Sequence, residues 1–372
     1  LVGPAVRRRL PAGRSLTEFT ASRFGAGFRY WVAALSVLYM LCFLAAELTA
    51  VGAITGLLSD ADARYAIVAV AVATLVYTAV GGLRASLVTD RWQAGLLIAL
   101  IATVGMAAFV FAPAPSADSG NGMPTTPITN ALGVALTLII AVTAANLFHQ
   151  GYWQRVWAAR DDRALRRGSL IGGLTTVAVV AVLGSAGILA ATRGLPLGDP
   201  PTPFFALIAD APGWLTLPAL ILGITLVASS VDTLQNALVS LGVTESGRIG
   251  LHGVRWLSAL LMVPVVVLAL QQVSVLRLFL IADLLCATAV IPLLSGLSDR
   301  VAPRAAILGA IAGLVGAVLP GTFTSGGLGG GLLAASFPGG APTLGPFLGA
   351  LTASAVVTAI AAGYGSKVSR PG

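Results

Sequence analysis

Ten apolar segments, each divided from the next by a polar or Pro/Gly-rich break, limit what this 372-residue chain can fold into. They run over about 28–58, 65–80, 86–111, 130–154, 168–191, 214–242, 254–270, 273–297, 302–319 and 344–361. Most approach the ~20 residues that a helix needs to cross a bilayer core. In hydrocarbon the backbone must satisfy its own hydrogen bonds, so such segments are expected to be helices. The second is short and is expected to run on toward Leu83. The breaks are Ser59-Asp-Ala-Asp62, a Pro/Ser/Gly-rich stretch over 113–127, the stretch 193–203 and a Gly-rich, low-complexity loop over 321–342. Only 10% of the residues are charged, against about 25% in a soluble domain. The fold class expected is an all-α, multi-pass membrane protein.

A net charge of +8 would suit a nucleic-acid partner, but its distribution does not. With a cytoplasmic N-terminus and strict alternation, nineteen of the 22 basic residues fall on the cytoplasmic side. Among them are Arg7, Arg8, Arg9, Arg14, Arg84, Arg91, Arg155, Arg160, Arg163, Arg166, Arg167 and Lys367. Only Arg64, Arg193 and Arg277 fall outside. This is the positive-inside pattern. Both termini are expected in the cytoplasm, with the basic face beside the lipid of the cytoplasmic membrane, and no nucleic acid is expected. Cys42 and Cys286 sit in apolar runs, without metal-site or disulfide spacing. There is no Walker or dinucleotide motif and no catalytic triad or carboxylate pair, so an enzyme is not expected. The sequence opens at Leu1 on a basic stretch that does not read as a signal peptide, and upstream helices are expected to be missing.

The segment Thr225-Leu-Val-Ala-Ser-Ser-Val-Asp-Thr-Leu-Gln-Asn236 interrupts an apolar run with oxygen-bearing side chains. On a helix, Thr225, Ser229, Asp232, Thr233 and Asn236 are expected on one face. A polar stripe inside a bilayer is costly unless it meets a cavity, an ion or another helix. Short hydroxyl and carboxylate oxygens suit a hard cation, which points to ion-coupled transport. Two further mid-span carboxylates, Glu47 and Asp283, need a partner or a proton.

Four motifs carry a family resemblance. Leu16-Thr-Glu-Phe19 with Arg23-Phe24-Gly25 is one, and Tyr77-Thr-Ala-Val-Gly-Gly-Leu-Arg-Ala-Ser-Leu-Val-Thr-Asp-Arg-Trp-Gln93 is the second. Gln154-Arg155-Val-Trp-Ala-Ala-Arg160 is the third, and Ala228-Ser-Ser-Val-Asp-Thr-Leu-Gln-Asn236 the fourth. In this order and spacing the chain, from about Pro11 to Leu297, resembles the sodium:solute symporters.

The resemblance implies two inverted five-helix repeats around a midplane site, with about ten helices here and the first repeat incomplete. Residues 1–113 would be the remainder of the first repeat, 130–297 the second, and 302–364 two peripheral helices. It implies Na⁺ as the coupling ion, ligated by Ser229, Ser230 and the Leu226 carbonyl. Asp90, with Asp232 and Thr233, would form a second cation site. Substrate contacts would come from His149, Gln150, Tyr152 and Trp153. His149 and Gly151 stand where sugar-carrying relatives have Asn and a gating Tyr, so a sugar ranks last among small polar solutes. The function implied is Na⁺-coupled symport of a small polar organic solute. The alternative is a transporter-like module that senses or binds solute without moving it. For Ser229 and Ser230, bonds back to their own helix remain an alternative role. For Asp90 it is a first-turn role at the helix dipole.

Overall fold

The computed structural model describes residues 2–111, 127–245 and 250–368, with side chains described for all of these except 80–91, 111, 251 and 364–368. Its elements are all helices: α1 (Val2–Arg9), α2 (Leu16–Phe24), α3 (Ala26–Leu58), α4 (Ala63–Phe111), α5 (Ile128–Asn146), α6 (Gln150–Ala158) and α7 (Asp162–Thr192). There follow α8 (Pro203–Ala206), α9 (Gly213–Glu245), α10 (Leu251–Leu270), α11 (Val275–Ser295), α12 (Pro303–Ser325), α13 (Leu328–Ala335) and α14 (Leu344–Val368). Among the described residues, nine stretches are long and apolar enough to cross a membrane, and Ala63–Ala79 adds a shorter apolar one.

Three boundaries depart from the sequence expectation. The expected segments 65–80 and 86–111 are not separate: α4 runs through Gly81-Gly82 for 49 residues. Two glycines cost about 1 kcal/mol each in a helix, and no proline falls within α4 to end it. Conversely, the expected single segment 130–154 is two helices, because the chain leaves helical geometry between Asn146 and Gln150. Finally, the Gly-rich stretch after α12 is not all loop, since it holds α13. The stretch 113–126 expected as a loop lies outside the described residues.

The core is built around α3, which packs against α9, α10, α11, α2 and α4. Phe28, Val32, Met40, Leu44 and Leu48 of α3 are fully buried against Val231 and Leu234 of α9 and Leu280, Ala287 and Leu293 of α11. A second apolar cluster joins Ile54 and Leu58 to Leu100, Val104, Phe205, Ile208 and Leu220. By contrast, only Ala190 of α7 is buried. Its Leu170, Ile171, Leu174, Val177 and Val180 are exposed, as befits a helix that faces lipid.

One end of the bundle is tied by arginines. Arg9 donates to Asp299 (2.6 Å) and to the Leu297 carbonyl (2.9 Å), and Arg23 donates to the Gly296 and Ser298 carbonyls. The bond from Arg9, followed by its charge, holds the Asp299 carboxyl below the usual carboxylate range. Arg29 pairs with Glu245 at 2.9 Å, linking the start of α3 to the end of α9. The N-terminal segment is thus strapped to the α11–α12 loop and α3 to α9.

Pro292 lies inside α11 and removes one ladder bond, and α12 approaches closely there. A Cβ on Gly313 would meet the backbone of Thr288, and one on Gly316 would meet the Gly349 carbonyl of α14. Neither contact can yield by turning a side chain. We therefore expect Gly316→Ala to cost about 1–3 kcal/mol through overpacking, read as a lower melting temperature of the detergent-purified protein. An unchanged melting temperature would contradict this packing.

Candidate functional site

The interruption between α5 and α6 places polar groups inside the bundle. A broken helix frees backbone groups that a dry interior must satisfy. Here Trp153 Nε1 donates to the Leu147 carbonyl at 2.6 Å, so the ring of α6 closes the end of α5. His149 is the N-cap of α6: its Nδ1 accepts from the Gly151 N–H at 3.1 Å. That bond leaves Nδ1 without a proton, so a neutral ring carries its proton on Nε2. The imidazole stacks on Tyr152 with centroids 4.2 Å apart and meets Tyr39 and Phe43 of α3 edge-on. A Cβ on Gly151 would lie 2.9 Å from the imidazole Cε1, so the His149 cap and a small residue at 151 go together.

Beside the break lies a cavity of about 260 Å³, lined by Phe43, Gln93, His149, Tyr152, Arg155, Ser229, Ser230, Thr233 and Leu234. It brings together the hydroxyls of α9 and two of the four residues expected to touch substrate. Arg155 donates to the Gly151 carbonyl at 3.3 Å. Gln150 and Trp153 turn elsewhere: both are buried, with Gln150 Nε2 donating to the Arg14 carbonyl (3.1 Å) and Trp153 closing the break. Both hold the α6 backbone in place.

The polar stripe of α9 divides between two spaces. A second cavity of about 300 Å³, between α4 and α9, is lined by Thr74, Tyr77, Trp92, Gln93, Thr225, Ser229 and Asp232, with Ala73, Leu96 and Ala228. Ser229 and Gln93 line both cavities, and the Gln93 amide donates to the Ser229 hydroxyl, forming the partition. Asp232 is buried on the α4 side, where its Oδ1 accepts from Thr78 (2.8 Å) and Asn236 (2.9 Å). Gln235 extends the network, with its Nε2 donating to Thr74 at 3.2 Å. Asp232 and Thr233, expected in one site, therefore face different cavities. Thr225 bonds back to the Ile221 carbonyl (2.7 Å), and the Leu226 side chain packs on the second apolar cluster. The Asp90 side chain lies outside the described residues. Asp283 of α11 is buried and interacts electrostatically with Tyr39 and Cys42.

Sequence reasoning did not single out Phe43, Gln93 or Arg155 as lining residues. Gln93 carried a usable signal, an amide inside an apolar helix, whereas Phe43 carried none among so many apolar residues.

The Thr78–Asp232–Asn236 network makes a testable demand. Asp232→Ala removes one acceptor of two buried donors, while Gln235 Oε1 (2.9 Å) remains for Thr78 and the backbone carbonyl at 232 (3.1 Å) for Asn236, so the loss should be that of net hydrogen bonds, about 0.5–1.5 kcal/mol each. Thr78→Val should cost less once Asp232 is gone, because the two share one bond. Thermal unfolding of both single variants and the double variant reads this. Additive losses would show that the bond contributes nothing.

Residues 11–193 match the model of the sodium:solute symporter family. A spermidine transporter, DUR31 of Candida albicans (strain SC5314 / ATCC MYA-2876), is 34% identical over 310 residues, covering 80% of this chain and 58% of that protein. The chain thus spans somewhat more than half the length of that curated relative. In fold, the chain is similar to a Na⁺-coupled sialic acid symporter solved in a substrate-bound outward-open state, with a TM-score of 0.61 and 17% identity. That likeness covers 96% of this chain and 82% of the other. These relatives are transporters and not enzymes, and the all-helical architecture with its apolar spans is a multi-pass membrane protein of the inverted-repeat type. Over residues 11–193, just under half of its length, the chain is similar to the sodium:solute symporter family.

Proposed function

We propose that the protein takes part in Na⁺-coupled symport of a small polar organic solute across the cytoplasmic membrane. The observation that carries this reading is the polar cavity at the helix break, where Ser229, Ser230 and Thr233 of α9 face His149 and Tyr152. Hydroxyl oxygens suit a small hard cation. A discontinuous helix offers backbone and dipole ends to solute and ion at the midplane. In this reading Ser229, Ser230 and the Leu226 carbonyl hold Na⁺, while His149 and Tyr152 contact the solute. Thr233 stands within reach of both, and Asp90 is a candidate for a second cation. Residues 1–113 serve as one repeat's remainder, 130–297 as the other repeat, and 302–364 as peripheral helices.

The thermodynamics are sufficient. One charge moving through 100 mV supplies about 2.3 kcal/mol, and a tenfold Na⁺ gradient adds about 1.4 kcal/mol. Together these sustain a solute gradient of several hundredfold per ion.

Two measurements test the reading. Ser229→Ala with Ser230→Ala should abolish Na⁺-stimulated uptake while leaving the protein folded, since two small side chains replace two others. Uptake that persists unchanged, or that never needed Na⁺, would refute the coupling. Solute binding without accumulation would instead favour a sensing module. For orientation, the positive-inside distribution of the basic residues assigns both termini to the cytoplasm. A cysteine at position 119 should then react with an external impermeant reagent and one at 163 should not. Reaction of both, or of neither, would overturn that topology.

A further inference from the structure

The groove between α3, α9 and α10 lies apart from the cavity at the helix break, at the end of the bundle where Arg29 pairs with Glu245. It holds about 440 Å³, and its lining is apolar over most of its length: Ala34, Leu38 and Leu41 of α3, Leu238 of α9, and Leu257 and Leu261 of α10. It follows α3 from Tyr30 to Leu41, a rise of about 16 Å in helical geometry. That is half of a hydrocarbon core of ~30 Å. A partner helix would run across the whole core, whereas a groove of this length suits a chain that ends at the midplane. Tyr30 and Trp256, both exposed, stand within the first two turns of α3 and α10, as aromatic rings do at headgroup level.

Two polar residues of α10 complete the groove. Ser258 is buried, with 5% exposure, and lines it. Helical serines elsewhere in the chain, such as Ser169 and Ser185, donate to a carbonyl one turn earlier. Ser258 does not, and among the described residues it has no hydrogen-bond partner. A hydroxyl left unpaired in an apolar wall is costly, unless what fills the groove brings an acceptor. Arg255 precedes Ser258 by one turn and is half-buried. It lies within about 60° of Ser258 around the helix and about 4.5 Å nearer the mouth. Among the described residues Arg255 forms no ion pair. A glycerophospholipid carries an anionic phosphate, ester carbonyls one glycerol unit deeper, and then its acyl chains. Arg255, Ser258 and the apolar lining follow the same order: cation, donor, hydrocarbon.

We propose that this groove is a binding site for one diacyl glycerophospholipid of the adjoining leaflet. Arg255 pairs with its phosphate, Ser258 donates to an ester carbonyl, and an acyl chain lies against α3 and α10. Arg29 and Glu245 neutralise each other at the mouth, so Arg255 sets the sign of charge that the site accepts.

The test is lipid add-back to the delipidated, detergent-purified full chain, with bound lipid counted by native mass spectrometry. The probes are ester-linked phosphatidylglycerol and its ether-linked analogue, which keeps the phosphate and the hydrocarbon but lacks the carbonyls. Wild type should retain one ester-linked molecule tightly and bind the ether analogue roughly fivefold more weakly, as expected for one lost hydrogen bond. Ser258→Ala should bind the ester lipid as weakly as wild type binds the ether analogue, and should no longer distinguish the two. Arg255→Gln should weaken both lipids alike. Ala34→Phe, at an exposed position in the groove, should abolish retention, while Leu170→Phe on the exposed face of α7 should not. Ser258→Ala removes a single oxygen and serves if the Phe variant folds poorly. Equal affinity of wild type for the two lipids, or retention unchanged in both Ser258→Ala and Ala34→Phe, would overturn the site. A dimer of the chain that Ala34→Phe prevents would make the groove a self-interface and would equally overturn it.

Discussion

The organisation of the site depends on how the chain closes the gap between α5 and α6. Leaving backbone carbonyls and amides bare in a bundle interior costs several kcal/mol per group. Two α6 side chains meet that demand: Trp153 returns to the Leu147 carbonyl and His149 caps the Gly151 N–H. Once those bonds are made, the His149 ring can only sit against Tyr152, Tyr39 and Phe43. The break, its aromatic lining and its position against α9 are therefore one arrangement. Gly151 belongs to it, since the imidazole occupies the space that a side chain at 151 would need.

The second organising contact is the Gln93–Ser229 partition. It separates a cavity at the helix break from one beside α4, and it assigns the polar residues of α9 to two tasks. Ser230 and Thr233 face the first cavity, where an ion and a solute can meet. Asp232, Gln235 and Asn236 face the other way and fasten α9 to α4 through Thr78 and Thr74. A row of polar side chains on one membrane helix is thus divided between a cavity wall and helix association.

That division explains what the sequence could and could not convey. The spans were legible because hydrocarbon leaves the backbone little choice but a helix. The stripe was legible as an anomaly, since polar atoms inside a span need partners. Its direction was not. At about 100° per residue, Ser230 and Asp232 lie roughly 160° apart on the helix, too far to serve one small site. Only the placement of α3, α4 and α6 around α9 decides which side each residue faces. The break at 147–149 was hidden because Leu147-Phe-His149 contains neither Pro nor Gly; it is held by side-chain bonds from Trp153 and His149 to nearby backbone groups. The reverse error fell between the expected segments 65–80 and 86–111, where the helix continues through Gly81-Gly82. Gln150 and Trp153, expected as substrate contacts, lie in the first turns of α6, and their hydrogen bonds turn them toward the scaffold.

The central claim is that the cavity between the helix break and α9 is where the coupling cation sits. Thiol labelling inside it tests this most directly. Thr233 lines the cavity without belonging to the partition. A Thr233→Cys variant, with Cys42 and Cys286 replaced by Ala, gives a single reporter. The account predicts that Na⁺ slows modification of this cysteine by a small cationic thiol reagent, while K⁺ and choline at equal ionic strength do not. A labelling rate indifferent to Na⁺, in a protein that still responds to Na⁺ by another measure, would place the ion elsewhere and contradict the account.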